Sequence, residues 1–140
     1  MYDRVPLHNG FPSFTREAVR RRQAALRQAI EKEGLQCGML YGSGRPNSDL
    51  AYLTNWPGGR EAYVMLPLEG EPSVLMQLFN HEPVAQMISY MPDTRWAGPD
   101  SIVTVAGWLR EHELAGASIG LMGGLPFSQY ETLKALLPEA

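Results

Sequence analysis

The spacing of apolar residues changes several times along the chain, and each change marks an element. From 15 to 33, Ala18, Val19, Ala25, Leu26, Ala29 and Ile30 fall on one arc of a helical wheel, which predicts a helix. Thr15 suits its N-cap and Gly34 its left-handed C-terminal stop. "LQCGMLY" (35–41) is an apolar run too short for a helix and is expected to be a buried strand. "EAYVMLPLEGEPSVLMQLF" reads as two strands joined at Glu69-Gly70-Glu71-Pro72, a hairpin. "HEPVAQMISY" predicts a short helix, "TRW" (94–96) a brief strand, and "SIVTVAGWLREH" a helix capped by Asp100. "ASIGLM" (117–122) predicts another buried strand and "SQYETLKALL" (128–137) a closing helix. Residues 1–14 show no periodicity and read as an arm. Helices alternating with strands, with one hairpin, imply an α/β layer architecture on a mixed sheet.

Charge alters this picture little. Arg16, Arg20 and Arg27 share a helix face that reads as solvated. The run Arg20-Arg21-Arg22 is splayed around the rod, because consecutive helical residues lie about 100° apart. Arg22 falls inside the apolar arc, so it should snorkel at the edge or meet a partner. The net charge of −3 argues against binding to nucleic acid, which requires a surplus of Lys and Arg. No apolar run is long enough to span a bilayer. Cys37 is the only cysteine, which points to a reducing, cytoplasmic setting. With 140 residues and 44% hydrophobic content, the chain suits one domain with one core.

Candidate chemistry is thin. His81-Glu82 resembles the start of a zincin helix motif, but Ala85 stands where the second histidine is required. The strands "LQCGMLY" and "ASIGLM" carry no carboxylate, so a self-contained metal centre is not expected. Ser43 lacks the flanking glycines of a nucleophile elbow, and Cys37 sits among apolar neighbours as an inert small hydrophobe. "GSGR" is no P-loop, and "GLMGG" fails the dinucleotide spacing. Trp56, Trp96 and Trp108 are dispersed and read as core. What stands out is "GRPNSDLAYLTNWPGGREAYVML" (44–66), where two turns flank "LAYLT". Two readings stay open. It is a well-capped connection whose Tyr52 and Trp56 pack under the sheet, or a site in which Arg60, after Gly58-Gly59, projects to hold a carboxylate bidentately.

"PNSDLAYLTNW" followed by "REAYVMLPLEGEPSVLMQ" resembles the N-terminal domain of the creatinase, prolidase and aminopeptidase P family of metallohydrolases. The helix over 15–33, "CGMLY", Asn47 and Tyr52-Leu53-Thr54 follow the family's order, as do the "IGLMG" strand and a helix with Tyr130 and Leu133. Asn55 departs from it, since glycine is usual there. The resemblance implies a three-layer, mixed-sheet α/β domain over 15–140 with ribonuclease H-like topology. It implies that chemistry belongs to a separate C-terminal pita-bread domain with two divalent metal ions (Mn, Co or Zn), outside this chain. The domain's own part is then oligomer assembly, as a homodimer or larger, and gating of a neighbouring subunit's active site. Arg60 would hold a substrate carboxylate there, with Trp56 shaping the rim and Asn80 and His81 at a comparable edge. For His81 a solvent-exposed helix start is the open alternative. The expected parent cleaves Xaa-Pro dipeptides or short peptides. A creatine-like amidine substrate and a stand-alone assembly module are the alternatives, and a nuclease is disfavoured by the carboxylate-free strands.

Overall fold

A computed structural model describes residues 6–140. A small hairpin, β1 (Leu7–His8) and β2 (Phe11–Pro12), precedes α1 (Arg16–Lys32), β3 (Cys37–Gly42), α2 (Ser48–Thr54), β4 (Ala62–Pro67) and β5 (Ser73–Met76). A 3₁₀ turn (Phe79–His81) leads into α3 (Glu82–Ile88), then β6 (Asp93–Trp96), α4 (Ser101–Glu111), β7 (Ile119–Met122) and α5 (Phe127–Leu136). The last five strands form one sheet in the order β6-β5-β4-β3-β7. Strands β3 and β7 are parallel, as are β5 and β6, while β4 runs antiparallel to both its neighbours. No described helix is long and apolar enough to cross a membrane.

The expected ends of α1 form by the expected chemistry. Thr15 accepts the Ala18 N–H through its side chain, and Gly34, at φ 72°, closes a Schellman motif through Leu35 N–H to Ile30 O and Gly34 N–H to Glu31 O. Glu113, at φ 59°, closes α4 the same way, but without glycine's freedom.

The three central strands, β3, β4 and β5, are covered on both faces, which is why they read as apolar runs. Along β4, Tyr63 and Met65 enter a core under α4 and α5 with Trp108, Leu109 and Leu133. Ala62 and Val64 enter the opposite core with Leu50, Leu53 and Trp56. On β3 the second face is lined by glycine at two positions. A Cβ on Gly38 would strike Ile30 of α1 at 2.6 Å, and one on Gly42 would strike Leu50 of α2 at 2.6 Å. Both helices therefore sit close on the strand because those side chains are missing.

Four sequence expectations are revised. The arm pairs as a hairpin and is tied down by Asn9 Nδ2 donating to Met87 O at 2.5 Å. "LAYLT" belongs to α2, whose N-cap Asn47 accepts the Leu50 N–H at 3.0 Å. The face of α1 bearing arginines is not simply solvated. Arg16 lies over Tyr90, and Arg27 donates to Pro67 O and Gly70 O of the β4–β5 turn. Strand β7 is a half-exposed edge, since nothing pairs with its outer side among the described residues. Arg22 meets partners as anticipated, stacking on Phe14 (4.0 Å) and Tyr52 (4.3 Å), with Tyr52 itself exposed.

Candidate functional site

Strands β3, β5, β6 and β7 point the same way, so the loops after their C-terminal ends meet at one end of the sheet. The loop entering the antiparallel β4 arrives there too. Open α/β sheets place their ligands outside this end of the strands. Residues from five separate stretches of sequence come together here.

The "NWPGGR" loop is braced from two sides. Asn47 N–H donates to Pro57 O at 2.8 Å, which joins it to the loop after β3. His81 then packs directly on Gly59, where any Cβ would collide with the imidazole. Trp56 meets the same imidazole edge-to-face at 6.4 Å. The expected residues Arg60, Trp56, Asn80 and His81 thus share one neighbourhood, but not one role. Trp56 was expected at a rim and is only 2% exposed; its indole belongs to the core and supports His81. His81 is half-buried, while Arg60 and Asn80 are exposed and have no side-chain hydrogen bond among the described residues. Arg60 is therefore a free guanidinium, with five donors in a planar fork suited to a carboxylate.

Other residues at this end had no sequence signal beyond their place after strands. Glu61 accepts from Gln129 Nε2 at 2.6 Å and from Tyr41 OH at 3.3 Å, so its carboxylate is fixed beside Arg60 in the chain. Burial, followed by the nearby Glu61 charge, pushes the Tyr41 hydroxyl above its ordinary pKa and keeps it a neutral donor. Tyr63, edge-to-face with Tyr41 at 5.4 Å, is raised for the same two reasons, and its buried hydroxyl has no hydrogen-bond partner among the described residues. Phe79 and Phe127 are 70% and 71% exposed. Phe79 leans on Trp96, whose indole N–H donates to Gln77 O at 2.9 Å. Trp96 was expected in the core and instead stands at this edge, whereas Trp108 is buried and donates to Ser73 Oγ at 2.9 Å.

The arrangement can grip an anionic group and press aromatic rings against a neighbour. Among the described residues no three His, Cys, Asp or Glu side chains gather as a ligand set. The donors present among the described residues do not fit a dinuclear metal pair.

Comparison with known proteins places this geometry in context. No curated protein matches the sequence. An Xaa-Pro aminopeptidase structure from Streptococcus pyogenes superposes with a TM-score of 0.69 at 15% identity, over 88% of this chain and 88% of that one. Dipeptidase PepE from Mycobacterium ulcerans gives 0.69 at 24% identity, over 90% of this chain but 34% of its own length. The creatinase/prolidase N-terminal domain of a Streptococcus pyogenes X-Pro dipeptidase gives 0.66 at 13% identity, over 86% and 96%. These likenesses establish the fold. The sequence model of the creatinase/prolidase N-terminal domain matches residues 22–140, and with the fold agreeing, the chain belongs to that family.

Proposed function

We propose that this chain is the non-catalytic N-terminal domain of a metal-dependent Xaa-Pro peptidase, with residues 15–140 as the domain and 1–14 as an arm. Its loop end faces the active site of a neighbouring subunit in a homodimer or larger assembly. There Arg60 binds the carboxylate of a small peptide substrate. His81, held by Gly59 and Trp56, shapes the loop that presents Arg60, and exposed Asn80 lines the approach. The two divalent ions and the hydrolytic step belong to a pita-bread catalytic domain. The observation that carries this reading is the exposed Arg60, unpartnered among the described residues, on a loop braced by Asn47 and His81, in a domain of this family. The chain spans about a third of the dipeptidase PepE, which supports a parent with a further domain. The single cysteine, which leaves no internal disulfide, supports a cytoplasmic setting.

The test has two arms. The 140-residue chain with Mn²⁺, Co²⁺ or Zn²⁺ leaves Gly-Pro intact; turnover by pure protein refutes the non-catalytic assignment. In the enzyme that joins this domain to its catalytic domain, Arg60→Ala raises KM for Gly-Pro roughly 10- to 100-fold, the loss of one charge-assisted contact, with kcat and metal content unchanged. An unchanged KM refutes the role of Arg60.

A further inference from the structure

Next to the Arg60 loop lies a concavity that the peptidase reading does not use. The arm, α2, α3 and the loop ends at Arg45 and Pro57 enclose about 420 Å³, within the range of roughly 300–1,000 Å³ typical of small-molecule pockets. Its walls are mostly apolar, with Phe11, Phe14, Val84 and Ile88 prominent. Three of these, Phe11, Phe14 and Val84, are exposed although they are large and apolar, so no described residue fills the wall.

The polar lining selects the ligand's chemistry. Asn55 has both ends of its side chain engaged, accepting from Phe14 N–H at 2.8 Å and donating to Ile88 O at 2.9 Å. Ser13 Oγ is turned toward Pro6 O and Tyr90 OH, each at 3.4 Å. Arg45 alone has no side-chain hydrogen bond or ion pair among the described residues. Among the described residues no Asp or Glu lines the pocket, so none of them draws a cation into it. A single guanidinium above an apolar hollow matches one carboxylate, whereas a dianionic phosphate would call for further donors.

We propose that this pocket binds a small monocarboxylate with a compact aryl or branched-alkyl body, its carboxylate on Arg45 and its body among Phe11, Phe14, Val84 and Ile88. Arg45 and Arg60 stand on different loops, so this site and the peptidase reading can fail separately.

The experiment is a titration of the 140-residue chain, followed by backbone NMR shifts, with 4-phenylbutyrate, its neutral amide and 4-phenylbutylamine. The acid binds about tenfold more tightly than the amide, the amine binds most weakly, and shifts concentrate at residues 11–14, 51, 84 and 88. Arg45→Met erases the preference of acid over amide while amide binding persists. Ala51→Phe, which fills the hollow from α2, abolishes binding of both, with helical circular dichroism confirming the fold. The proposal is overturned if the acid does not bind at 10 mM (about the weak limit for so few atoms). It is equally overturned if acid and amide bind alike, if Arg45→Met keeps the preference, or if the shifts map elsewhere.

Discussion

Asn55 ends α2 in the left-handed conformation, φ 70°, a backbone that glycine adopts most easily. Its side chain gives what glycine cannot: it accepts from Phe14 N–H at 2.8 Å and donates to Ile88 O at 2.9 Å, tying the arm and α3 to the end of α2. Replacing it by Ala removes two hydrogen bonds at about 1 kcal/mol each. Alanine must also hold the left-handed backbone, which costs about 1 kcal/mol more than it does for asparagine. The sum is about 3 kcal/mol, or a Tm lowered by roughly 6–12 °C at this chain length. Asn55→Gly loses the same two bonds, about 2 kcal/mol. Its easier backbone is roughly offset by the greater freedom of the unfolded chain, about 0.5–1 kcal/mol. Urea unfolding of the two variants therefore separates side chain from backbone. The midpoints should fall in the order wild type, Gly, Ala, and proteolytic nicking of the arm should speed up in both variants. If Asn55→Gly matched wild type, the two side-chain bonds would contribute nothing. If Ala equalled Gly, the left-handed backbone would not matter.

Further outcomes follow from other groups. Glu113 closes α4 at φ 59° with a side chain poorly suited to that conformation, so Glu113→Gly should stabilise by roughly 0.5–1 kcal/mol in the same urea assay. Asp93 is partly buried, which by itself raises its pKa, but hydrogen bonds from Arg95 and Ser73 and the guanidinium charge outweigh that and hold it below its ordinary value. A depressed carboxyl stabilises the fold above the unfolded pKa, and the benefit is lost as pH falls through the folded one. Stability should thus drop below about pH 4, and Asp93→Asn should flatten that limb. Burial pushes the Cys37 thiol from 9.0 up to about 12, a raised acid whose stabilising effect is complete below pH 9 and is lost as pH rises toward 12. At pH 8 the native chain should resist thiol-disulfide reagents and react in step with urea unfolding; fast native labelling would contradict this.

Local elements were legible where a residue acts within its own few neighbours. Thr15 and Gly34 bound α1 because a cap needs only the next turn of chain. The β4–β5 hairpin was visible because its turn residues lie between two apolar runs. The seven-residue α2 was not visible: "LAYLT" is too short to show a period, and Asn47 looks alike as a turn residue and as an N-cap. Arg22 could be flagged, since a charge in an apolar arc demands a partner, but Phe14 and Tyr52 could not be named.

The candidate site was less readable for the same reason. Arg60, Asn80 and His81 were within reach through family resemblance, yet the contact of His81 with Gly59 joins residues 22 positions apart. Whether a tryptophan is core or edge depends on what packs over it. Trp56 is covered by the second core, while Trp96 sits where β6 ends the sheet.

By itself, then, the order of residues determined most of the elements, both ends of α1, the α/β class and the family, because these depend on periodicity and on contacts close along the chain. Strand order, the two cores that share one sheet, the convergence of five loops at its end and the hollow beside Arg45 were decided only by tertiary structure. Each of these depends on which distant surfaces meet, and one apolar strand looks like another until its neighbours are in place.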